Sequence, residues 1–369
     1  MTETQSVTMG KEKFHIIIDS IGSANPSASK MLSDVLGTPV ELVVKALYNT
    51  PTVLFSDIDE ALAKQCHELL EKLGMISHIQ SVSEPLPEKG ESVDVGIYVH
   101  DIRDLSKITN ELAHFLGCTV QEALNMLLTD PCVVLGGVSI STAEALCQRL
   151  DTEVIISNPE KDKYTLFVDF DGENTMLGHK LKSYLKHLKI SSEYEETGRI
   201  ENLDYRTAQD IWKKFQSTGM LKMTNQSFQR FEVDLVGVDR ENDTYKAVLM
   251  EEVGIPEKIM DQVLDNLPIQ LYASANGKTV SDQLKRYAAA GMECVARPVK
   301  PNNYKLIIEE ISDLAATKKI LAQFLGEENL PTKTGKWECP RPLGDLIFRC
   351  ISAELEMVGC EVDYDYFIK

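Results

Sequence analysis

Apolar positions along the chain follow two periods in alternation. Five apolar runs rich in β-branched and aromatic residues predict strands: FHIIIDSI at 14–21, VGIYVHDI at 95–102, TLFVDF at 165–170, FEVDLVGV at 231–238 and YKLIIEEI at 304–311. Between them, apolar residues recur every three or four positions. Leu62, Cys66, Leu69, Leu70 and Leu73 fall on one helix face, and Leu105, Ile108, Leu112 and Phe115 fall on another. Each opening strand is followed by two helical patterns, a short strand, a third helix and a closing strand, which gives the order β-α-α-β-α-β. The second unit shows it in full: TVQEALNML, then CVVLGGV, then TAEALCQRL, closed by TEVIIS. The fourth is equally regular. In the third, the acidic SSEYEETGRIENLD (191–204) stands where the second helix and middle strand belong, which predicts a degenerate copy. In the fifth, EENLPTKTGKWECPRP (327–342) reads as a loop before a helix around Leu343 to Met357.

Glycine and proline punctuate the units at one spacing. Gly37, Gly117, Gly254 and Gly326 each end a helical pattern, and Pro51, Pro131, Pro268 and Pro340 each follow fourteen residues later. A second glycine closes the later helix, at Gly74, Gly219, Gly291 and Gly359; Gly37 to Gly74 and Gly254 to Gly291 both span thirty-seven residues. Glycine past a helix end takes a left-handed backbone without a Cβ penalty. Proline opens a strand where its missing N–H falls outside the ladder, and it pushes the residue before it out of the helical region. Ordinary chain breakers would not share one offset.

The stretch LGCTVQEALNMLLTDPCVVLGGVSISTAEALCQRLDTEVIIS (116–157) resembles the C-terminal domain of the bacterial ribosomal stalk protein. It carries that domain's glycine turn, a KEAK-like helix (here Gln121, Glu122, Ala123, Leu124), a proline-led strand, a VSK-like turn and a helix opening on Ala-Glu. The resemblance covers repeats one, two and four well, and three and five in outline. It implies the β-α-α-β-α-β fold, and it implies recruitment of a translation GTPase by basic and apolar residues of the first two helices. At positions matching the family's basic residues stand Asn110, Ala113 and Leu124, so the partner is not carried over directly.

Charge and composition narrow the function. The formal charge is −19, with 57 acidic residues against 38 Lys plus Arg, which argues against broad binding to nucleic acid or to anionic membranes. The start MTETQSVTMGKEK is polar, no apolar run reaches membrane-span length, and the eight cysteines contain no CxxC pair. A cytoplasmic protein with reduced thiols is expected.

Candidate chemistry is sparse. FVDFDGENT (167–175) offers Asp169 and Asp171 after a strand, as in Mg²⁺-dependent phosphotransfer, but Glu173 stands where that motif needs Thr. Gly277, Lys278 and Thr279 spell GKT, yet Tyr272 occupies the place of the phosphate loop's first glycine, so a turn before the third helix is the expected role. The pairs His114 with Glu111, and His67 with Glu68, have no nucleophile beside them. No Cys/His spacing matches zinc. At the end of the chain Val362, Tyr364, Tyr366 and Ile368 alternate with Glu361, Asp363 and Asp365. This is an amphipathic strand whose apolar face could be offered to another subunit.

The sequence therefore predicts an α+β tandem array of five small domains, each a three-stranded sheet with helices on one face. A tail spans 1–11, repeats span 12–80, 94–157, 158–229, 230–300 and 301–369, and a linker spans 81–93. Gly37, Pro51, Gly74, Gly117, Pro131, Gly254, Pro268, Gly291, Gly326, Pro340 and Gly359 are its structural markers. No cofactor is expected. The expected role is a non-catalytic structural or assembly subunit whose repeats associate with copies of themselves, into a filament or scaffold. An adaptor for a translation GTPase or other soluble protein is the alternative, and a Mg²⁺-dependent phosphotransfer enzyme the third.

Overall fold

Each stretch of β-branched residues that opens a repeat becomes the central strand of its own sheet. The computed structural model describes residues 12–24, 26–168, 175–190, 197–301 and 304–366. Among them are five separate three-stranded antiparallel sheets, each ordered middle–first–last by chain position. Both outer strands run antiparallel to the centre, so they run parallel to each other, with the third helix as the crossover between them. The architecture is the α+β repeat array that the pattern predicts. The chain divides into two compact units, residues 1–158 and 159–369.

In the first unit, repeat one runs β1 (Phe14–Ser20), α1 (Pro26–Leu36), α2 (Val40–Leu47), β2 (Thr52–Ile58), α3 (Glu60–Lys72) and β3 (Ile76–Ser81). Repeat two runs β4 (Ser92–Tyr98), α4 (Leu105–Leu116), α5 (Val120–Leu127), β5 (Val133–Ser139), α6 (Ile140–Cys147) and β6 (Glu153–Ser157). Ile16, Ile17 and Ile18 are all fully buried. Successive strand residues point to opposite faces, so both faces of β1 are covered. Helix α3 packs against β1 from its own repeat, and α6 of the next repeat packs against β1 as well as against its own β4 and β5.

In the second unit, repeat three keeps β7 (Tyr164–Val168), α7 (Thr175–His187), β8 (Arg199–Leu203), α8 (Tyr205–Phe215) and β9 (Leu221–Asn225). The middle strand expected to be lost is therefore present. β8 is an edge strand in which only Ile200 and Leu203 are buried, and its other positions, Arg199, Glu201 and Asn202, are polar, which hides the strand pattern. Repeat four runs β10 (Arg230–Val238), α9 (Thr244–Val248), α10 (Met260–Leu264), β11 (Ile269–Asn276), α11 (Gly277–Ala289) and β12 (Met292–Pro298). A wider π turn at Leu249–Val253 follows α9, within the helical pattern that Gly254 ends. Repeat five runs β13 (Tyr304–Glu310), α12 (Leu314–Leu325), β14 (Trp337–Glu338), α13 (Asp345–Met357) and β15 (Glu361–Tyr366). Its middle strand is two residues long and lies inside the stretch read as loop.

The markers fall at element ends. Gly37, Gly74, Gly117, Gly254, Gly291, Gly326 and Gly359 all have positive φ. Pro51, Pro131 and Pro268 each follow a cis peptide bond and lie just before β2, β5 and β11. Pro340 departs from the pattern. It follows β14 instead of opening it, because repeat five replaces its second helix with loop and shifts the strand forward.

Candidate functional site

Buried hydroxyls in a small α+β domain need partners, and the first unit gathers several at one place. Helix α2 ends at Tyr48, and Asn49, Thr50 and Pro51 turn the chain into β2. In repeat two, Ser139 ends β5 and caps α6, its hydroxyl accepting from the Thr142 N–H. These two corners meet. The Ser139 N–H donates to the Tyr48 carbonyl at 2.8 Å, and the Thr142 hydroxyl donates to the same oxygen at 3.3 Å. Thr50 Oγ1 lies 3.0 Å from Ser139 Oγ and 2.7 Å from Ser141 Oγ. Thr50, Ser139 and Thr142 are all buried.

Aromatic and cationic groups close the same contact. The Tyr48 ring stacks on Phe115 of α4 with centroids 6.1 Å apart and planes 13° apart, and its hydroxyl donates to the Phe115 carbonyl at 3.2 Å. Arg149, just past the end of α6, sets its guanidinium 4.9 Å from the centre of the Phe115 ring. The same guanidinium donates to the carbonyls of Gly22 and Ala24 in repeat one, at 2.9 and 2.8 Å. Burial pushes the Tyr48 phenol up to about 12, against the opposing pull of Arg149. Burial likewise lowers Arg149, which is half-buried. The arrangement is a fitted contact between two copies of one module, built from backbone carbonyls, hydroxyls, a ring stack and one arginine. Sequence reading misses it, since Tyr48, Thr50, Phe115 and Arg149 carry no motif.

The residues singled out for chemistry are not drawn together. Asp169, Asp171 and Glu173 lie outside the described residues. Gly277 and Thr279 form the first turn of α11 rather than a turn before it, with Asn276 capping through the Thr279 N–H at 2.7 Å. His67 lies 2.9 Å from Ser77 Oγ and 3.7 Å from a Glu71 oxygen, not against Glu68. His114 sits in the last turn of α4. Among the described residues, no group of three or more His, Cys, Asp or Glu is placed to hold a metal ion, and no helix is long and apolar enough to cross a membrane. Burial raises the thiols of Cys294 and Cys350 to about 11.

The closing strand β15 turns its apolar residues toward its own repeat. Val362 and Tyr366 pack against the core around Tyr304, Leu306, Ile308 and Phe348. Tyr364 pairs with Leu306 across the sheet and meets the Phe348 ring at 5.6 Å, yet stays 41% exposed. Tyr366 also donates its hydroxyl to Glu232 of repeat four. Ile368 lies outside the described residues.

Compared with known protein families, with curated proteins and with solved structures, the chain matches none.

Proposed function

We propose that this protein is a non-catalytic assembly subunit, a chain of small α+β modules whose surfaces serve as contacts and which associates with copies of itself. One observation carries the reading. Repeats one and two already use their surfaces this way: the Tyr48–Thr50 corner of one seats the start of α6 of the other, and Arg149 ties the second repeat back to two carbonyls of the first. A module that buries hydroxyls and an arginine against a second module of the same order is a unit of assembly. The formal charge of −19 suits solubility at high concentration. Negative-stain images over a range of concentrations test this. Particles holding more than one chain, more abundant as concentration rises, are expected, and single-chain particles throughout count against it.

An adaptor for another soluble protein is the second reading. It is favoured by Met31 and Val35 on α1 and Leu42 on α2, all exposed, on the two helices through which the resemblance implies recruitment. Capture of a partner that is lost when residues 12–157 are deleted supports it; capture unchanged by the deletion defeats it.

A further inference from the structure

The third helix of each repeat can be aligned on its capping residue, and one face of that helix changes character along the chain. The caps are Asp59, Ser139, Asp204 and Asn276 in the first four repeats. Three residues past the cap, repeats two, three and four have Thr142, Thr207 and Thr279; ten residues past it they have Arg149, Lys214 and Arg286. The fold is therefore satisfied by threonine and a base at these places. Repeat one has Leu62 and Leu69 instead. Both leucines are on the surface, 44% and 42% exposed, one heptad apart, with half-buried Cys66 and Leu73 completing a four-three-four spacing.

The matching face in repeat two shows what such a face does. Thr142 is fully buried, and with Arg149 it contacts repeat one. The place at which Thr142 of α6, and Arg149 just past its end, meet repeat one is thus open on α3, where Leu62 and Leu69 stand, and there it is apolar. From this we infer that the Leu62–Leu69 face of α3 is a docking surface for a second copy of this chain. The inference rests on the self-association proposed above and names the surface that carries it.

The same geometry selects how the copies meet. Docking α3 the way α6 docks would place Asp59 where Ser139 stands. The residue opposite, one before the corner proline, is Asp130 in repeat two and Leu267 in repeat four, where repeat one has Thr50. A carboxylate would then face a carboxylate or a leucine, and neither replaces the Thr50–Ser139 hydroxyl pair. An apolar seam placed against its own copy across a two-fold axis needs no second complementary surface, and it closes a dimer.

The test is sedimentation velocity on the full chain from about 1 to about 100 µM, spanning the range of a weak dimer. The variant is Leu62→Thr with Leu69→Lys, the pair of residues that repeat three already carries at these positions, so the fold tolerates it; unchanged circular dichroism and melting confirm this. Dimer formation by the wild type, weakened about a hundredfold or more in the variant, is the expected result. A wild type that remains monomeric throughout overturns both this inference and the self-association reading. Assembly that is equal in wild type and variant overturns the α3 surface alone. Oligomers growing beyond the dimer, but dissolved by the variant, overturn the two-fold arrangement.

Discussion

Arg149 concentrates much of the contact between the first two repeats in one side chain. It makes two charge-assisted hydrogen bonds to carbonyls of another repeat and lies over an aromatic ring. Methionine keeps the stem but removes the donors, leaving the Gly22 and Ala24 carbonyls short of partners. Arg149→Met is expected to destabilise the first unit by about 1–3 kcal/mol, read as a lower urea midpoint. Tyr48 supplies a pH signature. Its phenol is held up at about 12 in the folded protein by burial, against an ordinary value near 10. Between about pH 10 and 12 the folded state therefore binds more protons than the unfolded chain, so stability is retained below that window and falls as pH rises through it. Urea midpoints at pH 8 and pH 11 should show the loss, and Tyr48→Phe should reduce it.

At the scale of elements, capping and turn chemistry fix the ends of several helices. Helix α5 opens on a reciprocal box: the Thr119 hydroxyl accepts the Glu122 N–H, and the Glu122 carboxylate accepts the Thr119 N–H at 2.8 Å. Those hydrogen bonds hold the Glu122 carboxyl below its ordinary value. Thr119→Ala should cost about 1 kcal/mol, seen as a lower thermal midpoint. Gly74 turns the chain from α3 into β3 at φ +87°, and a Cβ there would sit 2.6 Å from Ser23 Oγ and 3.0 Å from the Ala24 nitrogen. Gly74→Ala is therefore expected to destabilise repeat one by more than an exposed helix substitution would, by about 1–3 kcal/mol, checked by calorimetry. Such glycines were legible in the chain because only glycine meets that backbone demand cheaply. Strand β8 was not, because an edge strand needs only Ile200 and Leu203 inward and leaves Arg199, Glu201 and Asn202 as polar positions. The π turn at Leu249–Val253 was hidden for a different reason, since its residues keep helical spacing while the hydrogen bonding widens.

For the whole molecule, the repeat count and the three-stranded make-up of each sheet follow from local pattern, because each sheet is assembled from strands of a single repeat. Contacts between repeats were beyond that pattern. Tyr48 and Ser139 are ninety-one positions apart in the chain, and nothing in the spacing of apolar residues marks them as partners. The spacing puts Leu62, Leu69 and Leu70 on one side of an amphipathic helix, and the structure divides that side. Ala63 and Leu70 face the core, while the two leucines beside them reach the surface. The modules are proposed to supply contact surfaces, first to each other and then to a second chain. The most direct measurement is the molar mass of the intact protein in solution as a function of concentration, by sedimentation equilibrium. A mass rising from the 41.3 kDa of one chain toward about twice that value is predicted, and a mass fixed at one chain across the whole range would contradict it.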